Sequence, residues 1–347
     1  MSAKQGTDML AARYRRVLMV LPAAYRERRG EEMLSTLLDG AADGKRRPSL
    51  AEASSLAALA IRLRVGAPGA SRRAVATGEV LRRTALAGLL AFGLWHGTGA
   101  VGNLVVIASE RSQYFQNTPG STVAWWLTLV FGLPLVYFGA FIALVLGRRR
   151  LGRFLGVAQA GFVAAASVQD RYPATSDMAA VFATSLMIAL ATGLGFHRGS
   201  PRPAAPGRWL SGMIGVAGVV FIVSGAAIGM HLDGHSGDTR VIDVIAQINA
   251  GPLVPGLAAV FGLVRARRSP IWPAALFILG LPGLLIVPRA LIHYAQGNYE
   301  NVFIGDLFRG AAWPGMAVYM LITEAVLATA LVWSLYLRRA RATAVPA

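Results

Sequence analysis

The sequence predicts an all-α fold: a polytopic membrane helix bundle of about eight spans, both termini cytoplasmic, behind a small N-terminal three-helix cytoplasmic domain. Three observations predict it. Of 347 residues, 55% are apolar and only 15% charged, too little charge to cover a soluble domain of this length. Eight apolar runs are long enough to cross a hydrocarbon core of about 30 Å at about 1.5 Å per residue. The connections between those runs alternate between arginine-rich and acidic.

Residues 1–66 read as a cytoplasmic domain of three short helices. In the first, Leu10, Tyr14, Val17, Leu18 and Leu21 recur at three- and four-residue steps and make one apolar stripe. Pro22 interrupts it and opens the second helix, which carries Tyr25, Met33, Leu34, Leu37 and Leu38 on one face and ends at a Gly40 cap. After the basic loop Lys45-Arg46-Arg47-Pro48, Ser49 and Glu52 form a Ser-x-x-Glu capping box. The third helix then runs through Leu56, Leu59, Ala60 and Leu63 to Gly66. Three helices in so few residues bury a small core, so a partner or a membrane surface is expected to complete the unit. Residues 67–83 read as a basic linker, flexible over 67–79, where Pro68, Gly69 and Ser71 cluster.

The expected spans are 84–108, 122–146, 151–169, 177–196, 209–230, 243–264, 271–292 and 314–337, the third being short and alanine-rich; a cytoplasmic tail, 338–347, follows. Arg148, Arg149, Arg150 and Arg153 follow the second span and Arg198, Arg202 and Arg208 the fourth. Arg265, Arg267 and Arg268 follow the sixth, and Arg338, Arg339 and Arg341 the eighth. The other connections hold eight of the nine acidic residues after position 83. Cationic loops resist translocation, so the arginine side is cytoplasmic, with 13 basic residues inside against five outside. Trp125, Trp126, Trp209, Trp272 and Trp313 fall at span ends, the headgroup zone. The Gly93–Gly97 and Gly225–Gly229 spacings read as internal packing seams.

A net charge of +17 would point to nucleic acid in a soluble protein. Here 16 of the 34 basic residues precede residue 84 and most others lie in short clusters between apolar runs. That pattern makes the lipid bilayer the partner, and no direct nucleic-acid binding is expected. With no cysteine, disulfides, thiolate metal sites and cysteine nucleophiles are excluded. The first 79 residues contain no isolated apolar core, so no cleavable leader is expected and the first span serves as targeting signal. Phosphate-loop, Gly-x-Ser-x-Gly and His-Glu-x-x-His motifs are missing. We therefore expect neither an enzyme nor a cofactor.

Away from the span ends, Glu324 is the one acidic residue in an apolar run, about 15 Å from the outer end of its helix, and His96 lies at about 18 Å. An intramembrane ionisable group implies function by default. The alternative is a structural hydrogen bond, to Asn103, Gln159, Gln247 or a backbone carbonyl. In the sixth span, Gln247-Ile-Asn249-Ala-Gly-Pro-Leu-Val-Pro-Gly256 should kink or break the helix and free carbonyls beside Gln247 and Asn249. Such segments line transporter sites, but proline kinks also occur with no substrate. Outside, His231, Asp233 and His235 have residue types suited to a metal, in a spacing that is frequent by chance.

On the second helix, Arg26, Glu27, Arg28, Arg29, Glu31 and Glu32 surround the polar arc. The arc reads either as a solvated face with i,i+4 support or as a mixed-sign surface that specifies a partner. The stretch Arg13-Tyr-Arg-Arg-Val-Leu, Leu21-Pro-Ala-Ala-Tyr-Arg-Glu-Arg-Arg-Gly-Glu-Glu-Met-Leu and Leu-Leu-Asp39-Gly, with Arg47-Pro-Ser-Leu-Ala-Glu-Ala and Ile61-Arg-Leu-Arg, carries a resemblance. It resembles the N-terminal domain of actinobacterial HAAS-type membrane proteins over about residues 10–66. The resemblance implies a signalling module paired with a PadR-like helix-turn-helix regulator, and it assigns no catalytic residue. Together these readings give a membrane-embedded regulatory protein in the bacterial cytoplasmic membrane. Its partner-binding candidates are Tyr25, Arg26, Arg28, Arg29, Glu32 and Met33. The alternative is a permease for a small or hydrophobic solute, with Glu324, His96, Gln247 and Asn249 along its path.

Overall fold

The computed structural model describes residues 3–42, 45, 47–109, 120–169, 176–203, 205–232, 253–286 and 313–343. Among them the chain is all-helical, with no strand. It divides into two compact units, Met1–Leu81 with Leu194–Pro201, and Arg82–Gly193 with Arg202–Ala347.

The first unit holds α1 (Ala3–Leu18), α2 (Ala23–Asp39) and α3 (Leu50–Arg64). The apolar stripe of α1 and the residue after its end, Leu10, Tyr14, Leu18 and Leu21, meets Leu34, Leu56, Ala60 and Leu63 in one buried core. Tyr25, Met33, Leu37, Leu38 and Leu59 are partly buried against it. Pro22 stands at the N-cap of α2, where its missing N–H costs no helical bond. Gly40 caps the other end at φ −83°, without the left-handed turn. Both halves of the Ser49–Glu52 capping box form. Gly66, just past α3, has φ +88°, and an added Cβ would lie 3.0 Å from Val75 Cα. A side chain there meets both a left-handed backbone and a backbone wall.

From Arg72 on, the expected basic linker over residues 67–83 is helical: α4 runs Arg72–Ser109 and carries residues of both units. The Ser71 hydroxyl accepts from the Ala74 amide at 3.3 Å, a helix-opening bond. No proline follows it, and alanine, arginine and glutamate favour continuation.

The second unit continues with α5 (Gly120–Val145), α6 (Arg149–Gln169), α7 (Ser176–Gly195), α8 (Pro206–Leu232), α9 (Leu253–Ala266), α10 (Ile271–Gly280), a 3₁₀ segment (Leu281–Ile286) and α11 (Trp313–Thr343). Helices α4 to α11 fall on the eight apolar runs. Residues 243–252 and 287–292 of the sixth and seventh runs lie outside the described residues. At Pro282 the ring removes an N–H and the α-helix gives way to 3₁₀ geometry. Within the described residues one stretch, Met320–Ala340, is by itself long and apolar enough to cross a membrane. The stretches Gly132–Val145, Ala179–Gly195, Pro206–Ile222, Gly256–Ala266 and Ile271–Leu285 are apolar and shorter.

Small residues let these helices close on one another. A Cβ on Gly88 would lie 2.6 Å from Ile188 Cγ1, one on Gly93 3.1 Å from Phe138, and one on Gly262 2.6 Å from Leu327. The Gly93–Gly97 spacing therefore is an internal seam; the Gly225 and Gly229 surroundings are outside the described residues. Large apolar side chains also face outward, among them Leu135 at 73%, Ile222 at 72% and Val332 at 67% exposure, while Gln159, Ser185 and Thr192 are fully buried.

Candidate functional site

In the first unit, helix α2 starts at Pro22 and turns its arginines toward the solvent side of the α1–α3 core. Arg29 and Glu32 are exposed and form an i,i+3 ion pair at 3.8 Å. Glu31 pairs with Arg15 of α1 at 3.9 Å. Arg26 reaches the Met19 carbonyl at 3.4 Å, and Met33 belongs to the core margin. Tyr25 and Arg28 turn to the segment after α3. The Tyr25 ring packs on Gly69, and Arg28 Nη2 donates to the Gly69 carbonyl at 2.9 Å while its Nε donates to Ala24 at 2.9 Å. Of the six candidates, Arg29 and Glu32 thus remain the pair whose side chains make only surface contacts.

Behind this face sits a polar clasp. Glu52 accepts from Lys45 Nζ at 2.6 Å, from the Ser49 amide at 2.8 Å and from the Tyr14 hydroxyl at 3.0 Å. The Lys45 hydrogen bond, followed by the Ser49 amide, draws the Glu52 carboxyl down from 4.5 to about 2. The same bond raises Lys45, and burial first, then the Glu52 bond, raises Tyr14.

The second unit holds a buried polar centre, of which Gln159 alone stands out in the sequence. The Tyr137 hydroxyl donates to Gln159 Oε1 at 2.6 Å, with the Ser185 hydroxyl 3.2 Å away. Gln159 Nε2 donates to the carbonyls of Ser185 at 2.7 Å and Gly156 at 3.1 Å. His96 stacks on the Tyr137 ring, centroids 5.5 Å apart and planes 11° from parallel. Three helices, α5, α6 and α7, are tied at this point, with α4 stacked against them. Gln159 was recognisable as a polar residue in an apolar run; Tyr137 and Ser185 carried no such signal.

Glu324 does not join this centre. Its carboxylate packs on Gly280, where an added Cβ would overlap it. Neither a hydrogen bond nor an ion pair links Glu324 to His96 among the described residues; His96 Nε2 and Glu324 Oε2 are both buried without a partner there. Gln159, offered as a partner for Glu324, spends its amide on Tyr137, Ser185 and Gly156 instead. Gln247, Asn249, Asp233 and His235 lie outside the described residues, as does the side chain of His231. Among the described residues no three His, Asp or Glu side chains converge to hold a metal.

A third cluster gathers at the helix ends that carry arginine. Trp209 and Trp272 lie 5.6 Å apart, Phe141 lies 6.3 Å from Trp209, and Phe261 meets Trp272 edge-on at 4.9 Å. Arg83 sits over Trp272 at 4.9 Å and Arg265 over Phe261 at 5.2 Å, with Arg267 over Trp333 at 5.5 Å. Cation–π contact of this kind keeps a guanidinium at an apolar edge without burying its charge.

No family model, curated protein or solved structure matches this chain. The clasp at Glu52 is structural, the Tyr137 centre is satisfied by its own members, and none of these clusters sets a nucleophile beside a base.

Proposed function

We propose that this chain is a multi-pass protein of the bacterial cytoplasmic membrane whose N-terminal three-helix unit binds a cytoplasmic regulator under control of the helix bundle. The observation that carries the reading is the pairing of two unlike units in one chain. One has a self-contained core and an exposed mixed-sign helix face. The other buries amides and hydroxyls while turning leucine, isoleucine and valine outward. Outward apolar side chains favour lipid as the solvent of the second unit, and helices α4 to α11 supply its eight spans. The aromatic and arginine cluster draws together residues from six of those helices at the ends assigned to the inner face.

The resemblance of residues 10–66 to HAAS-type domains makes a PadR-like helix-turn-helix regulator the partner. Arg29 and Glu32 offer charges of both signs on the exposed face of α2, and such patterns select partners by complementarity. A signal in the bilayer acts only if it binds one bundle state better than another.

The test is capture of partners from native lysate by the full chain in detergent. Recovery of a helix-turn-helix regulator, lost when Arg29→Glu and Glu32→Arg are combined, is the expected result. Recovery of no such regulator contradicts the reading. A permease would require a polar path through His96, Glu324, Gln247 and Asn249. His96 stacks on Tyr137 and Glu324 on Gly280, so the two described members of that path give it no support.

A further inference from the structure

A groove of 240 Å³ opens in the first unit where α2, the end of α3 and the start of α4 converge. Each element contributes one guanidinium to its lining: Arg28, Arg64 and Arg73. Tyr25 and the Ser71 hydroxyl complete the polar part of the wall, and no carboxylate lines it.

Two of the three arginines are held in place by neutral acceptors. Arg28 donates to the carbonyls of Gly69 and Ala24, and Arg64 Nη2 donates to the Val20 carbonyl at 2.9 Å. A carbonyl fixes the orientation of a guanidinium without cancelling its charge. Arg28 keeps Nη1, and Arg64 keeps Nε and Nη1, free of protein partners among the described residues. Arg73 makes no side-chain hydrogen bond or ion pair there at all. Three positive groups around one groove, two of them held in place, with donors to spare and no carboxylate in the lining, are complementary to a compact multivalent oxyanion.

We propose that this groove recognises a phosphate group, with Arg28 and Arg64 as pre-set walls and Arg73 closing over the anion. Ser71 adds a hydroxyl donor, since its oxygen already accepts from Ala74. The phosphate could be the headgroup of an anionic phospholipid or a soluble phosphate; the recognition chemistry is the same. The lipid source additionally rests on the membrane reading, because Thr77, at the groove's end, is seven residues before the first apolar run at 84. Phosphate binding as such does not depend on that reading.

The test is calorimetric titration of the full chain in a non-ionic maltoside micelle. The probes are inorganic phosphate, short-chain phosphatidylglycerol and, for comparison, short-chain phosphatidylcholine. Arg73→Gln is the informative variant, because it breaks no bond of the fold, and Arg16→Gln on α1 removes equal charge outside the groove. We expect binding of at least one of the first two probes, weakened about tenfold or more by Arg73→Gln and little changed by Arg16→Gln. Phosphatidylglycerol bound without inorganic phosphate assigns the site to lipid, and the reverse assigns it to a soluble phosphate. Failure of both to bind, or equal losses in the two variants, overturns the proposal. Neither of those results bears on how often the chain crosses the bilayer.

Discussion

Glu52 carries three incoming hydrogen bonds on one carboxylate, from Lys45, Ser49 and Tyr14. Because the folded value is depressed from 4.5 to about 2, its contribution is fully present above pH 4.5 and is lost as pH falls through about 2. Lys45 runs the other way: its raised value makes its contribution complete below 10.5 and lost as pH rises above that. Circular dichroism of the full chain in detergent should therefore show helix loss on acidification between those carboxyl values. Glu52→Gln should be less stable at neutral pH and lack that acid slope; identical acid profiles for the two proteins would remove Glu52 as the cause. Half of this clasp was legible in the sequence, since Ser49 and Glu52 stand at capping-box spacing. The other half was not, because Tyr14 is 38 residues from Glu52 and no local pattern pairs them.

At the scale of elements, hydropathy located every described helix of the second unit but could not say which faces meet. Glu324 and His96 fall at comparable distances from the ends of their apolar runs, yet position along a helix fixes one coordinate of three. Helix rotation turns one toward Gly280 and the other toward Tyr137. The Tyr137–Gln159–Ser185 centre joins three helices, and it was illegible because tyrosine and serine are ordinary in apolar runs. Tyr137→Phe keeps the ring and its stack on His96 but leaves Gln159 Oε1 without its hydroxyl donor. We expect a cost of about 1–3 kcal/mol, read as a lowered midpoint of thermal unfolding in detergent; an unchanged midpoint would mean that Gln159 finds another donor. The start of α4 at Arg72 is not legible in the apolar pattern for a related reason. Pro68, Gly69 and Ser71 announce a loop correctly, but the loop ends at Ser71, which itself opens the next helix.

At the scale of the whole molecule, we propose that two solvents act on one chain. Water shapes the first unit, which hides Leu10, Tyr14, Leu34 and Leu63 and exposes charge. The second unit buries Gln159 and Ser185 alongside Leu89, Phe141 and Ile188 and also turns Leu135 and Ile222 outward. On the proposed orientation, with the arginine-rich connections inside, a cytoplasmic regulator and an inner-leaflet phosphate would meet the N-terminal unit. The most direct measurement uses the chain's lack of cysteine. Single variants Ser54→Cys, Ser112→Cys, Ser236→Cys and Ser269→Cys are exposed to a membrane-impermeant thiol reagent in intact cells. Labelling at 112 and 236, with 54 and 269 reacting only after lysis, is the predicted result; labelling of 54 from the medium would contradict it.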